Sequence, residues 1–135
     1  MARFYGYEHV SAEIRELYEQ LSQVWCRETC APRMQDEWSP ENRTLGQCSI
    51  TAFLVQDLLG GRVRGVPLED GSVHCFNEVE GQIFDLTSEQ FGELRLDYTD
   101  RPLQDRQEHF ADAGKLRRYE LLKARLEMLR GKQIE

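Results

Sequence analysis

Three residue types that a cysteine acyl-transfer site needs occur in order along the chain, as Cys48, His74 and Asp85. Cys48 follows a glycine-containing turn and opens an apolar segment that is predicted to be a helix over about residues 47–59. The first backbone N–H groups of a helix lack acceptors within the helix, and the helix dipole is positive there, so a thiolate is favoured. The position of Cys48 therefore predicts a nucleophilic thiol.

The spacing between His74 and Asp85 allows the two side chains to meet. Glu80-Gly81 is typical of a two-residue hairpin turn, which would pair Val79 with Gln82. In that register His74 and Asp85 are diagonal neighbours on one face of the sheet, at a separation that side chains can bridge. A shift of one residue would place them on opposite faces, so the hypothesis depends on this turn.

A triad of these residues would act on an amide or thioester bond. Cys48 would attack the carbonyl carbon, His74 would act as the base and then pass the proton to the leaving group, and Asp85 would orient the imidazole. Developing negative charge on the carbonyl oxygen requires hydrogen-bond donors, of which the backbone N–H of Cys48 is the first. The substrate predicted from this chemistry is a small molecule or a peptide.

The segment of about residues 30–45 leads directly into the Cys48 helix and contains Pro32 and Pro40, which oppose long regular structure. It is longer than most connecting loops, so we expect it to border the site. Within this region Trp38 is predicted as an apolar wall of the substrate pocket. The side chain of Gln47 or Asn42 is predicted as a second oxyanion donor.

Each of these residues also has a structural explanation. Single cysteines on apolar helices usually pack, single strand histidines are usually structural, and aspartates are often turn residues. The alternative function is a non-catalytic interaction module, in which a C-terminal helix over about residues 105–131 binds a partner or forms a homodimer. One apolar stripe on that charged helix supports the alternative, formed by Leu116, Tyr119, Leu122, Leu126 and Leu129.

The other cysteines, at positions 26, 30 and 75, are interpreted as free thiols. The spacing of Cys26 and Cys30 would suit two zinc ligands, with Cys48, Cys75 or His74 completing the set, but a second closely spaced pair is missing. We therefore predict neither a metal nor another cofactor. His9 and His109 are interpreted as solvated.

The composition limits the partners. The chain has 135 residues, 17 Lys+Arg against 24 Asp+Glu, and a net charge of -7, which opposes binding to nucleic acid or to an anionic membrane. Its length suits one domain over residues 1–135, and it contains no apolar run long enough to span a membrane. The predicted location is the cytoplasm.

The periodicity predicts an α+β fold in which a buried helix carrying Cys48 packs on a small antiparallel sheet between N- and C-terminal helices. The first helix is predicted over about residues 11–27, with Ser11 as its N-cap. Strands are predicted at Arg62–Leu68, Ser72–Val79 and Gln82–Thr87, and Gly60-Gly61 is predicted to end the Cys48 helix.

Five separated segments of the chain resemble the YunG family of small bacterial proteins: Trp25–Cys30, Trp38–Asn42, Gly46–Ala52, Gly71–His74 and Ile83–Phe91. The resemblance covers about residues 10–91 and implies no established activity. More distantly, the order of a helix-borne Cys, a strand-borne His and an Asp on the next strand is similar to the papain and transglutaminase-like fold. That resemblance implies a peptidase, amidase, deamidase or acyltransferase, although the papain pattern Cys-Gly-Ser-Cys-Trp is absent.

Overall fold

The computed structural model describes residues 3–134, with side chains described as far as residue 131. It has the predicted α+β architecture, a small antiparallel sheet with helices packed on it. The helices are α1 (Ala12–Val24), α2 (Cys48–Leu59), α3 (Arg106–Phe110) and α4 (Ala113–Ile134). The strands are β1 (Arg62–Pro67), β2 (Val73–Val79) and β3 (Gln82–Phe84), and they lie in the order β1-β2-β3.

The helix ends follow the capping residues of the sequence. The Ser11 side chain caps α1 by accepting a hydrogen bond from the backbone N–H of Ile14. Gly60 ends α2 with a φ of 79°, a conformation that glycine adopts without steric cost. Cys48 is the first residue of α2, as predicted, so the thiol lies at the positive end of the helix dipole.

The turn between β2 and β3 fixes the register of the candidate site. Glu80 and Gly81 both have positive φ, at 52° and 81°, which matches the right-handed twist of a two-residue hairpin. Val79 pairs with Gln82, as predicted. The third strand ends at Phe84 and is shorter than predicted. Asp85 no longer pairs with β2 and instead forms an isolated bridge with Tyr5 from the N-terminal segment.

The two faces of the sheet have different neighbours. Cys75 and Val79 belong to the main core together with residues of α1, α2 and α4, and the side chain of Asn77 donates a hydrogen bond of 2.9 Å to the carbonyl of Ala52 in α2. On the other face, Phe76 belongs to a second cluster. His74 shares the strand face of Phe76 because side chains alternate along a strand, whereas α2 packs mainly on the opposite face. His74 is the second residue of β2 and therefore lies at the edge of this contact.

The C-terminal region forms two helices instead of the single one predicted over about residues 105–131. Asp105 caps α3, and the Asp112 side chain accepts hydrogen bonds from the N–H groups of Gly114 and Lys115 and thereby starts α4. Along α4, Tyr119, Leu122 and Leu126 are buried in the main core. Within residues 3–134, no helix is both long enough and apolar enough to cross a membrane.

Candidate functional site

His74 and Asp85 form a buried, directly hydrogen-bonded pair. The Nε2 of His74 donates to the Oδ2 of Asp85 at 2.7 Å, and each side chain is only 1% exposed. The contact follows from the hairpin register and from the Tyr5 bridge, which holds Asp85 just past β3. Because Nε2 is occupied by the carboxylate, Nδ1 is the nitrogen that remains for a nucleophile.

Asp85 is itself held by further donors. The hydroxyl of Tyr98 donates to Oδ2 at 2.6 Å, while the backbone N–H and the hydroxyl of Thr87 donate to Oδ1 at 3.1 and 3.3 Å. Tyr98 is buried and its ring lies against Tyr5 and Phe76, with ring centroids 4.2 and 4.9 Å apart. Both carboxylate oxygens therefore have fixed partners, which orients Asp85 toward the imidazole.

The half-buried thiol of Cys48 contacts both Cys75 and His74. Hydrogen bonding from the Cys75 thiol and the charge and hydrogen bond of His74 lower the pKa of Cys48 well below its ordinary value, although burial opposes this. The same contact and burial raise the pKa of the Cys75 thiol, which stays protonated. Cys48 is thus favoured as a thiolate with a neutral thiol beside it.

His74 is favoured as an imidazolium. Burial alone would lower its pKa, but the Asp85 carboxylate and the Cys48 sulfur raise the pKa of His74 to about 10. The ring of Phe91 contacts the imidazole edge to face, with centroids 4.7 Å apart. Cys48, His74 and Asp85 are therefore brought together in the arrangement that a thiolate–imidazolium pair requires.

A cavity of about 740 Å³ opens beside the pair and includes Cys48, His74 and Cys75 in its lining. The segment of residues 30–45 borders this cavity, as predicted, through Ala31, Arg33, Met34 and Leu45. The C-terminal part of the chain also lines the cavity, with His109, Lys115 and Arg118. The thiol therefore faces a space large enough for a small molecule or a short peptide segment.

The predicted wall and side-chain oxyanion residues are not among those lining the cavity. The indole of Trp38 donates to the carbonyl of Arg43, and Asn42 pairs with Ser39, so both serve the internal structure of the loop. Gln47 is fully buried, and its amide nitrogen donates to the carbonyl of Cys26 at 3.0 Å. The backbone N–H of Cys48, at the start of α2, is the candidate donor that remains beside the thiol.

The remaining cysteines are free thiols, and within the described part of the chain no group of three or more His, Cys, Asp or Glu side chains is placed to hold a metal. Cys30 is buried, and burial raises its pKa to about 11. Cys26 and Cys30 flank a short 3-10 helix, Arg27–Thr29, that contacts α4. The short helix between Cys26 and Cys30 therefore accounts for their close spacing.

Sequence reasoning missed four residues of the site: Cys75, Phe91, Tyr98 and His109. The position of Cys75 directly after His74 could have indicated that it belongs to the site. Tyr98 and Phe91 lie in segments without periodicity, which gave no such indication. His109 was interpreted as solvated, but it packs against Phe53 and its Nε2 is buried. Burial together with the nearby Lys115 lowers the pKa of His109 to about 4, which keeps it neutral.

Comparison with known proteins gives a family match. The family model described as YunG protein matches residues 13–130. The chain is also 33% identical over 94 residues, 70% of this chain and 75% of the relative, to the protein of Bacillus subtilis (strain 168) printed as "Uncharacterized protein YunG". The family match extends through most of α4, beyond the expected limit near residue 91. No solved structure matches the chain.

Proposed function

This chain belongs to the YunG family, and we propose that it is a cysteine-dependent hydrolase or acyltransferase that acts on an amide or thioester bond. The observation that carries the proposal is the buried hydrogen bond of 2.7 Å between His74 and Asp85, on the imidazole that contacts the Cys48 thiol. An open cavity at that thiol supports it further. The site residues are Cys48 as nucleophile, His74 as acid and base, and Asp85 as the orienting carboxylate.

The reaction follows from the charges of the pair. The Cys48 thiolate attacks the carbonyl carbon, and the backbone N–H of Cys48 donates to the oxygen as it becomes negative. His74 then gives its Nδ1 proton to the leaving amine or thiol, which leaves an acyl group on the sulfur as a thioester. Water, or a second acceptor in a transferase, attacks that thioester while His74 takes the proton back.

The order of elements agrees with the papain and transglutaminase-like arrangement that the sequence resembles. The nucleophile opens a buried helix, the histidine lies on a strand, and the carboxylate directly follows the next strand. We include a papain-like core in the proposal. The likeness to that fold consists of the order of the Cys, His and Asp along the elements and of their contact, and the described sheet has three strands.

The alternative of an interaction module loses its main sequence support. The stripe on α4 that suggested a partner or a homodimer lies largely in the core of the chain itself, where Tyr119, Leu122 and Leu126 are buried. Self-association through α4 therefore stays a prediction, because most of the stripe that suggested it is used within the chain.

The proposal is tested first by the reactivity of the thiol. Iodoacetamide modification is followed across pH by peptide mass mapping, with the half-buried Cys26 as the internal reference in each sample. Cys48 should react rapidly at pH values well below the ordinary thiol range, where a protonated thiol reacts slowly. In the His74→Gln variant this low-pH reactivity should be lost.

A second measurement tests acyl transfer. A p-nitrophenyl acetate assay should give an early burst of p-nitrophenol and an acetyl group mapped to Cys48, and Cys48→Ser should abolish both. Circular dichroism and thermal melting establish that the variants are folded. A Cys48 that reacts no faster than Cys26 at low pH and accepts no acyl group would reject the proposal in favour of a structural pair.

A further inference from the structure

Two cations on the first turns of α4 line the cavity that contains Cys48. Lys115 and Arg118 are three positions apart and share one face of the helix, and both are half-buried. Among the described residues neither forms an ion pair, although the chain has a net charge of -7. In so acidic a protein, two unpaired cations beside one cavity require an explanation.

Of the two cations, Arg118 is the one whose hydrogen-bonding groups are not all satisfied. Its Nη1 donates to the carbonyl of Thr29 at 3.3 Å, but its Nε is buried and has no partner within the described residues. Burial lowers the pKa of the guanidinium, and the nearby Cys30, Asp112 and Cys48 offset this only in part. None of the ion pairs among the described residues includes Arg118. An anionic group in the cavity would supply both an acceptor for the buried Nε and a directly paired charge.

The carboxylates around the same cavity do not fill this role. Asp70 is paired with Arg33 at 3.2 Å, Asp105 accepts the backbone N–H groups that begin α3, and Glu108 is exposed. A second cavity, of about 540 Å³, shares Lys115 and Arg118 with the first, and Glu28 and Asp112 also line it. Asp112 accepts hydrogen bonds from the backbone N–H groups of Gly114 and Lys115 that begin α4. The wall beside Cys48 is therefore basic where it is most buried.

We propose that the substrate of this site carries an anionic group, a carboxylate or a phosphate, which Arg118 and Lys115 bind while Cys48 attacks the neighbouring carbonyl. This inference rests on the function proposed above and names the substrate class. The neutral His109, whose buried Nε2 lies unpartnered among the described residues, adds a hydrogen-bonding group to the same cavity lining. A cationic substrate is disfavoured by the same wall.

The test compares two alkylating probes that differ in charge. The rates of Cys48 modification by anionic iodoacetate and by neutral iodoacetamide are measured at one pH, and each is divided by the rate at Cys26 in the same sample. Because both probes react with the same thiolate, their ratio is independent of any change in the pKa of Cys48. The wild-type ratio should favour iodoacetate, and Arg118→Gln should lower it about tenfold, the effect of one charge-assisted hydrogen bond.

Matched variants separate a binding role from a general charge effect. Lys115→Gln should also lower the ratio, Arg118→Lys should retain most of it, and Lys123→Gln, which removes an exposed cation farther along α4, should leave it unchanged. Protection of Cys48 from iodoacetamide by acetate or by inorganic phosphate then identifies which anion the wall prefers.

The outcomes distinguish this inference from the proposed function. Cys48 could react rapidly with iodoacetamide while the probe ratio is the same in the wild type, Lys115→Gln and Arg118→Gln. That result would overturn the anionic substrate and leave the cysteine chemistry in place. A Cys48 that shows no enhanced reactivity toward either probe would overturn both.

Discussion

The charge state of the Cys48 thiol depends on the residues that touch it, and Cys75 is foremost among them. We predict that Cys75→Ala raises the pKa of Cys48, because the thiolate loses a hydrogen-bond donor, and that the pH profile of iodoacetamide modification shifts to higher pH. Cys75→Ser, which keeps a donor at that position, should shift it less. An unchanged profile in Cys75→Ala would mean that His74 alone stabilises the thiolate.

The contribution of the Cys48–His74 pair to stability should be level near neutral pH and decrease on both sides. His74 has a folded pKa raised from 6.5 to about 10, so its stabilisation is complete below 6.5 and is lost as the pH rises through 10. Cys48 has a folded pKa below its ordinary 9.0, so its stabilisation is complete above 9.0 and is lost as the pH falls through the folded pKa. Between 6.5 and 9.0 the two changes offset each other.

Urea unfolding of the wild type and of a Cys48→Ala/His74→Gln double variant, from about pH 5 to about pH 10, measures that contribution as the difference in unfolding free energy. The difference should form a plateau between the two ordinary pKa values. A difference that increases steadily across the range would show that Cys48 and His74 are not charged together in the folded state.

The proximity of Cys48, His74 and Asp85 could be predicted because their positions are tied to local signals, a helix start and a hairpin turn. Tyr98 could not, because its contact with Asp85 depends on the path of an irregular segment that has no periodicity in the sequence. Gln47 and Asn42, expected as oxyanion donors, and Trp38, expected as an apolar wall, do not line the cavity for a related reason. Proximity in sequence to Cys48 does not determine which way a side chain points, and these three bind backbone carbonyls or a loop bridge instead.

The hairpin register was predictable because a two-residue turn requires positive φ at both positions, which leaves few alternatives. Glu80 meets that requirement at a cost, since residues with a Cβ disfavour positive φ. We predict that Glu80→Asn raises the free energy of unfolding by up to about 1 kcal/mol in urea titrations, because asparagine tolerates this conformation better. Glu80→Val at the same position should lower it, and equal effects of both variants would contradict this turn.

The contact between β2 and α2 sets the distance from His74 to Cys48, and Asn77 is its polar anchor. Removing its buried hydrogen bond to Ala52 by Asn77→Ala should lower the free energy of unfolding by about 1–3 kcal/mol. It should also slow Cys48 modification at low pH, because β2 and α2 would no longer be held in register. Arg62→Ala, an exposed change on β1, is the control and should alter neither quantity.

The break between α3 and α4 could not be read from the charge and apolar periodicity of the C-terminal region. The apolar stripe begins only at Leu116, after Asp112, so its periodicity carries no signal of a break before it. The Asp112 side chain satisfies the free N–H groups of a new helix, which favours a restart over continuation. The restart has a consequence for the site. It aims the first turns of α4, with Lys115 and Arg118, at the cavity.

Taken as a whole, the molecule places its candidate site between a core shared by all long helices and a C-terminal wall that depends on α4. The side chain of Leu122 is fully buried in that core, whereas Met128 on the same helix is 67% exposed. We predict that Leu122→Ala lowers the free energy of unfolding by about 2–5 kcal/mol in urea titrations, because it leaves a cavity where α4 packs on α1 and α2.

Met128→Ala should change the free energy of unfolding by less than about 0.5 kcal/mol, since its side chain is exposed. Because α4 carries the basic wall, Leu122→Ala should also reduce the preference of Cys48 for iodoacetate, while Met128→Ala should not. If instead Leu122→Ala were as stable as Met128→Ala, α4 would not be docked in solution. Its apolar stripe would then be free for a partner, and the interaction module would become the better account of this chain.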